Sequence, residues 1–140
     1  MADEIVSIKN SRNSQFQILF LCATMSEVKD MGLGVLQNVS QFQHKAITNL
    51  QCYFEQSLDK SEFKLKLSCA ELVNCPSCPV TNEIHMDDYF LTRIVFSVNK
   101  DALNRVKLSN RKMYGLISDC INGRLLTMND FTYPLNKEYN

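Results

Sequence analysis

YFLTRIVFSV, residues Tyr89 to Val98, is the stretch whose reading decides the fold. Side chains alternate across a strand, so Phe90, Ile94, Phe96 and Val98 make one strongly apolar face. Tyr89, Leu91 and Val95, interrupted by Arg93, make the other. A strand that is apolar on both sides belongs in the middle of a sheet.

The segments around it supply the neighbours. Gln15 to Cys22 puts Phe16, Ile18, Phe20 and Cys22 on one face and Gln15, Gln17, Leu19 and Leu21 on the other, so this strand also reads as central. From Phe63 to Cys69 the alternation is strict. Phe63, Leu65, Leu67 and Cys69 are expected inward and Glu62, Lys64, Lys66 and Ser68 outward, the pattern of an edge strand. Leu125 to Met128 is a short last strand.

Between the strands the period changes. Val35, Val39, Phe42, Ala46, Leu50 and Tyr53 recur at three and four residues, which predicts a long amphipathic helix from Val35 to Leu58. A second helix starts at Ser109 as N-cap, buries Met113, Leu116, Ile117, Cys120 and Ile121, and stops at Asn122-Gly123. Met25 to Gly34 reads as a turn. The order strand, helix, strand, strand, helix, strand predicts an α+β fold. The expected architecture is a ferredoxin-like βαββαβ two-layer sandwich with a long Cys-rich loop between strands 2 and 3. Residues 1–14 form a lead-in, 15–129 a single domain and 130–140 a tail.

At 140 residues the chain is long enough to bury roughly 70% of the surface its unfolded form exposes. Hydrophobic content of 45% and charged content of 21% are those of a globular domain. Fifteen acidic and fifteen basic residues cancel, so overall charge selects neither nucleic acid nor an anionic membrane as partner. The polar start, MADEIVSIKN, has no signal-peptide character, and the apolar run from Phe16 to Ala23 is too short to span a bilayer. An intracellular protein, cytoplasmic or nuclear, is expected. Cysteines there are reduced thiols or metal ligands, and Cys22, Cys52 and Cys120, inside apolar patterns, are expected as core.

The other three cysteines lie in SCAELVNCPSCPVTNEIHMDD, Ser68 to Asp88. Cys69, Cys75, Cys78 and His85 offer the four thiolate or imidazole ligands of one structural zinc, which would staple a loop of unusual length. Against that, Pro79 removes a backbone N–H that such knuckles aim at sulfur, and only one C-x2-C pair is present. A surface loop with free thiols is the alternative. Cys75-Pro76-Ser77-Cys78 also resembles the CPxC of glutaredoxins, over those four residues alone, and no function follows from so short a match.

Nucleotide cradles, a nucleophile elbow and a deaminase signature are all missing, so no small-molecule substrate and no catalysis are expected. Two binding expectations remain. One is a protein partner, or a second copy, docked on an apolar sheet face of Leu19, Leu21, Tyr89, Leu91, Arg93 and Val95; the chain is then a subunit or adaptor. The other is RNA held by Lys100, Arg105, Lys107, Arg111, Lys112 and Arg124, a window with only Asp101 and Asp119 as acids. The first strand, with Gln17 and Leu19 expected outward, offers no aromatic for stacking bases.

Overall fold

The computed structural model of the chain describes residues 14–29, 35–73 and 88–131. Three strands, β1 (Ser14–Thr24), β2 (Phe63–Val73) and β3 (Tyr89–Asn99), form an antiparallel sheet in the order β1-β3-β2. Among the described residues four helices accompany it: α1 (Met25–Lys29), α2 (Val35–Phe54), α3 (Lys100–Ser109) and α4 (Arg111–Ile121). A 3-10 turn, Met128–Phe131, follows. The fold is therefore α+β with β3 in the centre. No helix among the described residues is long and apolar enough to cross a membrane.

Helix α2 shows why its sequence folds as it does. Asn38, Phe42, Ala46, Leu50 and Phe54, each four residues on from the last, are all buried, with Val39, Ile47 and Tyr53 packed alongside. One stripe of a 3.6-residue helix meets the sheet, and Gln37, Gln41 and His44 are exposed away from that stripe. Phe54 stacks on Phe96 of β3 with ring centroids 4.7 Å apart, and Phe63 meets both edge-on. Such ring pairs add about 0.5–1.5 kcal/mol each beyond their buried area. Polar Thr92 is tolerated beneath α2 because its hydroxyl accepts a hydrogen bond from the Gln43 amide at 2.9 Å.

Two helices were not legible in the periodicity. Thr24 and Glu27 form a reciprocal cap: the Glu27 carboxylate accepts from the Thr24 N–H at 2.9 Å and the Thr24 hydroxyl accepts from the Glu27 N–H at 3.4 Å. That starts α1 where a turn was expected. At the far end of β3 the Asn99 side chain accepts from the N–H groups of Asp101 and Ala102, so the strand passes straight into α3. Ala102, Leu103 and Val106 are its buried face. The cap of α4 is Asn110, whose side chain accepts from the Met113 N–H, while the expected cap, Ser109, donates to the Arg105 carbonyl. Gly123, at φ 111°, ends α4 in the left-handed conformation that its residue type permits.

The last strand of the expected sandwich is a single bridge. The Cys22 N–H donates to the Leu126 carbonyl at 2.7 Å and the Leu126 N–H donates to the Phe20 carbonyl at 2.8 Å, in the parallel sense. Two helices stand where one was expected. They turn the chain once more, so it reaches β1 running with it.

Register decides which side of each strand meets the helices. Residues opposite one another in an antiparallel pair share a face. Leu19 lies opposite Ile94 and Leu21 opposite Thr92, and all four are buried beneath the helices. Phe16, Ile18, Phe20 and Cys22 of β1 consequently share the other face with Ser97, Val95, Arg93 and Leu91 of β3. In β2 the register shifts between Leu67 and Cys69, and this bulge at Ser68 turns Cys69 outward, opposite Arg93, instead of inward with Leu67.

Candidate functional site

The face of the sheet that no described helix covers is the candidate site. Its rows run across all three strands: Phe16, Ser97 and Lys64; Ile18, Val95 and Lys66; Phe20, Arg93 and Cys69; Cys22, Leu91 and Glu71. Phe16 is 50% exposed and Phe20 40%. Ile18 and Val95 are half-buried between them, Leu91 is half-buried beyond Phe20, and Arg93 is exposed beside Phe20. Burying a phenylalanine is worth roughly 1.5–3 kcal/mol, so two left about half exposed on one strand forgo part of a stabilisation that folding could have used.

Four residues expected on this face stand on it, Tyr89, Leu91, Arg93 and Val95. Leu19 and Leu21 do not. Each is only 1% exposed and belongs to the core. The reading from alternation failed at β1 because both of its faces are apolar, and a one-residue choice of register exchanges them. The consequence is chemical: β1 presents Phe16 and Phe20 outward, where the sequence had suggested Gln17 and Leu19.

Of the four residues expected to hold zinc, only Cys69 lies among those described, exposed on the open face. Cys75, Cys78 and His85 lie outside the described residues, and no group of three metal-ligating side chains occurs within them. The three cysteines expected as core divide. Cys120 is buried, Cys22 is half-buried on the open face, and Cys52 is exposed on α2, away from the buried stripe. Burial pushes the Cys22 thiol up, and the charge of Glu27 adds to it. Burial likewise raises Cys120, against the pull of Arg124. Both are held as neutral thiols, the opposite of an activated nucleophile.

The basic window folds into contacts of its own. Arg105 donates to Glu62 at 2.7 Å, a bond that holds the Glu62 carboxyl below its usual range and raises the Arg105 guanidinium. Lys107 lies 5.8 Å from the centre of the Tyr114 ring. Arg124 pairs with Asp130 and, at 3.6 Å, with Asp119. Lys100, Arg111 and Lys112 form no ion pair among the described residues. Arg111 and Lys112 border a surface hollow of about 260 Å³ with Tyr53, Gly115, Arg124 and Asp130. Asp119 and Asp130 stand in that hollow too, so its charge is mixed and its pull on a phosphate is weak.

No family model, no curated protein and no solved structure matches this chain.

Proposed function

We propose that this chain is a non-enzymatic interaction module, a subunit or adaptor, that docks a macromolecular partner on its open sheet face. The observation that carries the reading is the exposure of Phe16 and Phe20 on either side of Ile18, with Leu91, Arg93 and Val95 beside them. An apolar surface with an arginine among its residues has the composition of a docking site. On the helical side Arg105 and Arg124 are engaged by Glu62 and Asp130, which lowers the claim of that side on an anionic partner. In the same reading the domain is a departure from the ferredoxin-like sheet in which the Leu126 bridge, parallel to β1, stands in place of the fourth strand. The β1-β3-β2 order and the capping of one face by helices support that description.

The test compares the full-length chain with a Phe16→Ser, Phe20→Ser double variant. Both are used to capture partners from the source cells, with and without nuclease, and both are sedimented. Loss of a stoichiometric partner, or of self-association, in a variant that keeps its circular dichroism and melting temperature supports the reading. An identical partner list and sedimentation profile in the two would refute it.

A further inference from the structure

We infer that the occupant of this face is a short run of single-stranded nucleic acid, with bases stacked on Phe16 and Phe20 and a phosphate held by Arg93. The inference rests on the reading of the open face as the working surface and names what fills it.

Three observations select this partner. The first is the pair of rings. Phe16 and Phe20 are four residues apart on one face of β1, hence roughly 13 Å apart, with Ile18 between them. Two exposed rings along one extended strand provide separate stacking points for two non-adjacent bases of one extended polymer, and every base has a face to stack.

The second is charge. Arg93 is exposed opposite Phe20 and has no ion-pair partner among the described residues. Lys64 and Lys66 stand on the same face, each with an interaction of its own, and Glu71 is the acid among its rows. A second copy laid face to face would bring this cationic surface against itself, with Arg93 buried in the contact, an arrangement that costs several kcal/mol when like charges meet. A polyanion meets no such opposition. Glu71 lies toward the Leu91 end, so the strand is expected to cross β1 near Phe16 and Phe20 and leave toward Lys66.

The third is size. Three strands spaced ~4.8 Å apart and eleven residues long present about 500 Å², against the roughly 800 Å² per partner of a stable protein complex. Stacking of two or three bases fits within that area. The face carries one guanidinium and no array of donors and acceptors matched to base edges, so recognition is of single-strandedness and charge, with little preference for sequence.

The test titrates the full-length protein into fluorescein-labelled oligouridylate and oligodeoxythymidylate, each about 12 nucleotides long, and into a duplex of the same length, following anisotropy. Both single strands are expected to bind more tightly than the duplex, and the ratio between the two shows whether the sugar matters. Phe16→Ala and Phe20→Ala are each expected to weaken binding by about 5- to 100-fold, the range measured for loss of one stacked base. Arg93→Glu is expected to weaken it and to flatten its salt dependence by about one unit of slope. An Arg111→Glu, Lys112→Glu variant on α4 is expected to bind as the parent does.

Absence of binding up to about 100 µM, the weak limit of non-specific affinity, overturns the inference. Undiminished binding by the Phe16→Ala, Phe20→Ala double variant does so too, as does a loss confined to the α4 variant. If the oligonucleotides fail but the double serine variant still loses a nuclease-resistant protein or a self-contact, the face remains a docking surface and only the nucleic acid is withdrawn. If neither is lost, both readings fall together. Melting temperatures of all variants accompany the titrations, so unfolding is not scored as loss of binding.

Discussion

The two faces of the same three strands carry similar residues and meet opposite fates. Phe96 on one is fully buried, with the Phe54 ring 4.7 Å away. Phe20 on the other is 40% exposed. Ile94 and Ile18, each beside a residue of the neighbouring strand, divide in the same way. Hydrophobicity alone therefore does not assign a face of this sheet. What assigns it is the arrival of α2, α3 and α4, whose apolar stripes have one place to go. The other face keeps an apolar surface that no helix among the described residues covers.

That contrast is open to direct attack. Leu19→Asp places a charge among Ile94, the helices and the rest of the core, and is expected to cost more than ~4 kcal/mol and to leave the chain unfolded by circular dichroism. Phe96→Ala removes the ring between Phe54 and Phe63 and is expected to cost about 3–5 kcal/mol in a urea titration. Asn99→Ala deletes the cap of α3 and is expected to cost about 0.5–2 kcal/mol by the same measurement. On the open face, Phe20→Ser is expected to cost less than about 2 kcal/mol, because its ring is already 40% exposed and only part of a phenylalanine's burial is lost. A Phe20→Ser variant as unstable as Phe96→Ala would erase the distinction between the faces.

The smallest effect concerns pH. The Arg105 guanidinium lowers the Glu62 carboxyl, so ionised Glu62 contributes stability above the pKa it has in the unfolded chain. That contribution is lost as pH falls through the lowered folded value. Arg105 is half exposed, which limits the contribution to about 0.5 kcal/mol. Glu62→Gln is expected to melt slightly below the parent near neutral pH and level with it in acid below the usual glutamate range. A gap that widens in acid would contradict the sign.

Some of this was legible in the sequence. The stripe of α2 and the covered face of β3 announce themselves, because each has a strongly apolar side set against glutamines or Arg93. β1 does not, since Phe16 and Leu19 are equally good core residues and only pairing with β3 separates them. The Ser68 bulge has no periodic signature, yet it reverses the side on which Cys69 stands. The signs of the missed helices were present but local: Thr24 and Glu27 at cap spacing, and Asn99 ahead of Ala102, Leu103 and Val106. The basic window looked like a patch because Glu62 and Asp130, outside it on either side, pair with Arg105 and Arg124 only after folding. The aromatic pair of the proposed docking face lay hidden for the same reason as the register of β1.

The bridge at Leu126 has a consequence for how the molecule is made. It joins positions more than a hundred residues apart, and Leu126 and Phe131 fill the core from the last described stretch of the chain. During synthesis β1 emerges early and waits, its outer edge and core side unsealed, until α4 and the bridge segment have cleared the ribosome. Contacts so distant in sequence close late and slowly. For most of its translation β1 therefore has no strand partner, since β3 lies at Tyr89–Asn99, and is apolar on both sides, the condition in which a holding chaperone would meet it.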